Sequence, residues 1–159
     1  MLGAADGADG ADDPWQPLQV YAARADSELT GGSDAAHAGF ITLNEPAMLD
    51  RQLAAAKAQG QWVLVEYYDD WCVSCLVMEE QVFSDPQVIA ALAGVHLLRL
   101  DVTANNAASR ELLSRYRVPG PPSLLWIGPD GEERRGRRIT GEVGAEAFLQ
   151  QWAETRERG

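Results

Sequence analysis

An α/β layered fold is what the sequence predicts from residue 40 onward, and three observations carry that expectation. Short apolar runs of strand length alternate with segments whose apolar residues recur at helical spacing. The run at residues 62–68 (WVLVEYY) is apolar on both faces, as a central strand covered on both sides must be. Turn-forming residues stand at the joints: Gly60, Ser84-Asp85-Pro86 and Pro129-Asp130-Gly131.

The elements follow in order. Residues 40–43 make a short strand. Asn44 is the expected N-cap of the next helix, with Glu45 and Pro46 in its first turn, and Leu49, Leu53 and Ala56 form one face until Gly60 ends the run. The strand at 62–68 comes next, then a helix from Cys72 to about Val82. Ser84 or Asp85 caps a second piece that runs to Ala93, so a kinked helix and two helices in series fit equally. Residues 95–102 (VHLLRLDV) form a strand, and Asn105 or Asn106 starts a helix that reaches Tyr116. Ser123–Ile127 is a strand after a proline cluster. Residues 136–140 pair with it across the Pro129-Asp130-Gly131 turn, and Ala145, Phe148, Leu149 and Trp152 mark one face of a C-terminal helix.

The 159 residues, 46% of them hydrophobic, suffice for one core and not for two full domains. Residues 1–39 read as a flexible tail: MLGAADGADGADD and the stretch 30–39 offer almost nothing to bury. Between them, residues 15–21 (WQPLQVY) carry apolar groups that either lie along the domain surface or belong to the linker. A net charge of -11 argues against a nucleic-acid surface or an anionic-membrane anchor, leaving proteins or small thiols as partners. No apolar run approaches the roughly 20 residues of a membrane span, and the N-terminus lacks a signal-peptide pattern. The chain as given is therefore expected to be soluble, although a piece of a longer protein would have lost its targeting segments.

The chemistry centres on Trp71-Cys72-Val73-Ser74-Cys75, which holds the only two cysteines of the chain. Disulfide exchange needs a thiolate to attack and a second sulfur to resolve the mixed disulfide, and CxxC on the first turn of a helix supplies both. The helix dipole favours thiolate at the outer position, Cys72. Glu66 lies inside the apolar strand, where an ionised carboxylate costs several kcal/mol unless it is paired or protonated. Desolvation should raise its pKa and suit it to take a proton from Cys75 and return it; the alternative is a strand-edge glutamate reaching solvent. Glu79 falls on the same helical face as Cys75, where it either opposes thiolate formation or is a solvated charge within Glu79-Glu80. The segment Val118-Pro119-Gly120-Pro121-Pro122-Ser123 precedes a strand, and either a cis proline or a rigid trans loop fits there.

Together these residues are similar to a thioredoxin fold, a central mixed β-sheet flanked by helices on both faces, over residues 40–157. More narrowly, the region resembles the C-terminal periplasmic domains of the DsbD family of transmembrane thiol:disulfide interchange reductases. The residues that carry this are VEYYDDWCVSC, the continuation FSDPQV at 83–88, DVTAN at 101–105, the proline segment and Thr140-Gly141. The resemblance implies that Cys72 is the solvent-facing nucleophile and Cys75 the resolving thiol. It implies that Glu66 and Glu79 tune the pair and that Pro122 is a cis-proline opposite it. It further implies a protein-disulfide reductase with neither organic cofactor nor metal. Electrons would come from a membrane-embedded dithiol domain and pass to a separate N-terminal periplasmic domain of the same inner-membrane protein. The isolated domain would be a monomer, with residues 1–39 as its tether.

Three departures from the family pattern stand out. Glu66 occupies a position that is commonly Asp, Leu76 replaces the usual Lys after Cys75, and Pro121 has no N–H to offer a substrate, leaving its carbonyl and apolar contact with Trp71. Two other readings are carried forward: a free-standing periplasmic reductase, and a binding module in which Cys72 and Cys75 form a static disulfide. His37 and His96 form no recognised metal set, and a Cys-His pair through His96 needs only spatial proximity. The basic island at residues 134–138 (RRGRR) reads as a solvated hairpin edge, with contact to anionic head groups as the alternative.

Overall fold

A computed structural model describes residues 39–158; the expectations for residues 1–38, including 15–21 and His37, lie outside the described residues. Strand β1 (Ile41–Leu43) leads into helix α1 (Pro46–Ala58), strand β2 (Val63–Tyr68), helices α2 (Val73–Gln81) and α3 (Pro86–Ala91), and strand β3 (His96–Asp101). Helix α4 (Ala107–Arg115), strand β4 (Ser123–Ile127), strand β5 (Ile139–Thr140) and helix α5 (Ala145–Arg158) complete the order. The sheet runs β1-β3-β2-β4-β5, with β3 parallel to both β1 and β2 and β4 antiparallel to β2 and β5. This is the mixed α/β sheet that the alternation of periods predicts.

Every residue of β2 and β4 is buried, so both strands are central and both faces are covered. Alternation divides their side chains between two cores. Val65, Tyr67, Leu98, Leu100, Leu125 and Ile127 pack with Leu49 and Ala56 of α1 and Leu112 of α4. On the other face Leu64, Leu124 and Trp126 pack with Met78 of α2, Val88 of α3, and Phe148 and Trp152 of α5. Each such buried side chain contributes about 1.5–3 kcal/mol relative to exposure, which is why the two-faced apolar pattern outweighs local propensity. The site therefore sits between the sheet and the α2/α5 layer.

Two local expectations are corrected and one open alternative is settled. Asn44 does not cap α1: Glu45 is the N-cap, without a side-chain cap bond, because Pro46 starts the helix one residue later and carries no N–H to satisfy. Of the two arrangements left open for residues 72–93, two helices in series are found, α2 ending at Gln81 and α3 starting afresh where Asp85 Oδ1 accepts from the Gln87 N–H at 2.8 Å and Pro86 opens a new first turn. Only Ile139–Thr140 of the predicted last strand pairs with β4; Arg135–Arg137 forms a 3-10 turn instead.

Ion pairs account for that last difference. Arg134 donates to Asp130 at 3.0 Å, Arg137 pairs with Glu154, and Arg138 pairs with Glu133 at 2.5 Å and donates to the Tyr116 carbonyl. Arg134 passes so close to Gly128 that a Cβ there would lie 2.2 Å from the guanidinium. Three of the four arginines of the basic island thus pair with acids, of which Asp130 and Glu154 are exposed, and Arg135 is exposed as well, in keeping with a solvated edge.

Candidate active site

The dithiol stands where β2 gives way to α2. Cys72 is the N-cap of α2, with extended backbone (φ −86°, ψ 98°), and its Sγ accepts from the Cys75 N–H at 3.1 Å as a capping oxygen would. The preceding turn is tied down by side chains. Trp71 N–H donates to Asp69 Oδ1 at 2.8 Å, Asp70 N–H to Thr103 Oγ1 at 2.9 Å, and the Tyr68 hydroxyl to Asp70 Oδ1 at 2.9 Å. The loop bearing Cys72 is therefore anchored both to its own strand and to the residues that follow β3.

Cys72 and Cys75 are joined as a disulfide with a Cα separation of 5.2 Å. Their environments differ. Cys75 is fully buried, its Sγ 3.8 Å from the Tyr67 carbonyl oxygen, whereas Cys72 is half-buried at the rim. Around that rim Trp71 is 82% exposed, and Val73 and Leu76 are exposed too. A sulfur arriving from solvent meets Cys72 first, on a surface that offers mostly apolar contact.

Glu66 lies beneath α2, on the sheet face that carries Leu64. It is buried, and neither carboxyl oxygen has a hydrogen-bond partner. Its register partners are Arg99 on β3 and Leu124 on β4. Burial pushes its pKa up to about 8, repulsion from Glu79 adds to the rise, and Arg99 pulls it back. The reading of Glu66 as a solvent-reaching edge residue therefore fails.

Glu79 is not a solvated charge either. Arg99 Nη1 donates to its Oε2 at 2.6 Å, and the two side chains are only 6% and 11% exposed. Burial, the largest effect, leaves the Glu79 pKa raised, and the guanidinium beside it pulls it back toward the ordinary carboxylate range. The same guanidinium lies over the Tyr68 ring, 3.9 Å from its centroid.

The Pro121–Pro122 peptide bond is cis. Ser123, the next residue, is the register partner of Tyr67, so the prolines sit at the end of β2 that leads to Cys72. The Pro122 carbonyl accepts from Gly141 N–H at 3.0 Å, and Gly141 adopts φ 93°, which glycine alone takes without strain. From the same loop Glu142 Oε1 accepts from Ser74 Oγ at 2.9 Å, linking it to the first turn of α2. Cys72, Cys75, Glu66, Glu79, Trp71, Pro121 and Pro122 are all brought to one end of the sheet.

Arg99 is the residue that sequence reasoning missed. A lone arginine inside HLLRLD, in a strand otherwise apolar at its centre, was the available signal. His96 is at the opposite end of β3, paired in register with Val63 and sharing a hydrogen bond with Gln52 Oε1 at 2.7 Å, so it makes no pair with either cysteine. Among the described residues no group of three or more His, Cys, Asp or Glu is arranged to hold a metal ion, and no helix is long and apolar enough to cross a membrane.

Comparison with known proteins agrees with this geometry. A family model described as thioredoxin-like matches residues 45–129. The chain is 68% identical over its full length to thiol:disulfide interchange protein DsbD 2 of Pseudomonas aeruginosa, and 61% identical over 99% of its length to DsbD of Pseudomonas fluorescens. It spans only 26% of the length of each. Among solved structures, the oxidised C-terminal domain of Neisseria meningitidis DsbD superposes with a TM-score of 0.63 at 27% identity, covering 71% of this chain and 97% of that domain. A thioredoxin from Thermus thermophilus superposes with a TM-score of 0.59 at 28% identity, covering 74% of this chain and 87% of its own.

Proposed function

The chain belongs to the thioredoxin-like family, as a C-terminal domain of the DsbD kind, and on that premise we propose that it is the electron-relay domain of a periplasmic disulfide reductase. Its chemistry is thiol-disulfide exchange through Cys72 and Cys75. The observation that carries the reading is the asymmetry of the pair: a rim sulfur joined to a buried one, over a buried carboxyl group with no hydrogen-bond partner.

In the reduced protein the Cys72 thiolate attacks a disulfide of the partner and forms a mixed disulfide, releasing one partner thiolate. In the fraction of molecules in which Glu66 is ionised, its carboxylate takes the Cys75 proton, and the Cys75 thiolate attacks Cys72 Sγ. The second partner thiolate leaves, two electrons have passed to the partner, and Cys72–Cys75 is oxidised. A carboxyl pKa of about 8 lies close to that of an ordinary thiol, so the proton moves between Cys75 and Glu66 at little cost in either direction. Glu79 tunes the same exchange. The Pro121 carbonyl and Trp71 receive the partner's backbone and apolar side chains, because neither proline of the pair has an N–H to donate.

Electrons enter from a membrane-embedded dithiol domain and leave to an N-terminal periplasmic domain of the same inner-membrane protein. Residues 1–39 serve as tether, residues 40–157 as the working domain, and that domain acts as a monomer. Neither an organic cofactor nor a metal takes part.

The test uses Cys75→Ser, in which the resolving step is blocked. Reduced variant mixed with the oxidised N-terminal domain of a DsbD protein is expected to accumulate a mixed disulfide through Cys72, visible by mass. In parallel, the wild-type pair should equilibrate with a thiol buffer at roughly −200 to −270 mV. Failure to trap that domain, with a pair that stays oxidised below about −300 mV, would overturn the relay in favour of a static bridge.

A further inference from the structure

Two carboxylates and one guanidinium are enclosed between β2, β3 and α2, and the arrangement is not symmetric. Arg99 is buried at the centre of β3, directly beside Glu66 in register, yet its 2.6 Å ion pair goes to Glu79 on the helix above. Glu66 is left with no hydrogen bond to either oxygen. We propose that Arg99 is a positioning residue of the thiol site: by holding Glu79 as its fixed counter-ion, it separates the two carboxyl groups into a standing anion and a movable proton carrier, Glu66.

The physical reason is that two neighbouring carboxylates in a desolvated space compete for ionisation. A guanidinium, charged at every working pH and able to grip a carboxylate through aligned N–H donors, resolves the competition in favour of the group it touches. The groups bearing on Glu66 are Glu79 from α2 and Arg99 from β3, with Tyr68 of β2 beneath the guanidinium. On β4 its neighbour is the apolar Leu124. Arg99 thus places its positive charge on the sheet side of the site, while Leu76, the residue after Cys75, brings none from the helix side. With Glu79 kept ionised, each disulfide exchange has a single internal destination for the Cys75 proton.

The inference rests on Glu66 as the proton acceptor, and the experiment separates the two claims. Titration of the Glu66 carboxyl carbon by NMR in the oxidised protein, where no thiol titrates, is compared with the pH profile of exchange in the reduced protein. Arg99→Gln should move the Glu79 midpoint, followed in the same spectra, upward by about one pH unit, and the Glu66 midpoint upward by less, since the lost attraction is partly offset once Glu79 takes up a proton. Glu79→Gln should move the Glu66 midpoint downward, because the guanidinium then acts on Glu66 alone. The double variant should return near the wild-type midpoint, and Arg99→Lys should lie between Arg99→Gln and wild type.

If Arg99→Gln does not fold, the difference between Glu79→Gln and the double variant reports the same effect of Arg99, since the double leaves no uncompensated charge. A Glu79 midpoint unmoved by Arg99→Gln, or a Glu66 midpoint indifferent to Arg99 in both backgrounds, overturns the proposal. An exchange profile unchanged by Glu66→Gln, with the Arg99 effect on the Glu66 midpoint intact, overturns the proton-acceptor reading alone.

Discussion

Glu66 shows how a single residue can set a pH dependence. Its carboxyl group is neutral in the folded protein up to about pH 8, whereas in the unfolded chain it ionises from about 4.5. Below pH 4.5 it is protonated in both states and its contribution to stability is intact. As pH rises the unfolded chain loses the proton first, so stability drains away until the folded state ionises too, through pH 8. Glu66→Gln removes this titration. Urea unfolding of the oxidised proteins across that window should therefore show the variant gaining on wild type by on the order of 3–5 kcal/mol. A constant gap would mean that Glu66 ionises in the folded protein as it does in water.

At the scale of elements, helix starts are decided by the residue that can reach the first N–H groups. Asn106 does so: its Oδ1 accepts from Ser109 N–H at 2.9 Å and from Ser109 Oγ at 3.0 Å, opening α4. Asn106→Ala should cost about 1 kcal/mol in a melting experiment. Asn44, an equally plausible cap by composition, precedes a helix that Glu45 and Pro46 begin without a side-chain cap. Asn44→Ala should accordingly leave stability within about 0.5 kcal/mol. Strand and helix identities were legible throughout because both rest on local periodicity. The 3-10 turn at Arg135–Arg137 was not, because ion pairs to Asp130, Glu133 and Glu154 shape that segment, and the last of these comes from α5.

Across the whole molecule, the aromatic cluster joins the sheet to the α3/α5 layer. Trp152 stacks on Trp126 with centroids 4.4 Å apart, meets Trp62 edge-on at 5.4 Å, and donates from Nε1 to the Ala91 carbonyl at 2.9 Å. One side chain thus touches β4, the entry to β2 and α3. Trp152→Ala should lower unfolding free energy by about 3–5 kcal/mol, read from the denaturant midpoint. Trp71, exposed at the rim of the dithiol, behaves oppositely. Trp71→Ala should keep stability within about 0.5 kcal/mol while slowing exchange with a protein disulfide more than with a small one.

The sequence by itself determined the α/β layering, the central strands and the redox pair, because periodicity, turn residues and the CxxC spacing are all local. It also marked Glu66 as anomalous, since a carboxylate inside an apolar strand is visible without any neighbour. Which group answers that carboxylate was decided only in three dimensions. Arg99 and Glu79 belong to a strand and a helix that meet only after the sheet has formed, and the burial that makes their ion pair strong and leaves Glu66 protonated exists only once α2 has closed over the sheet.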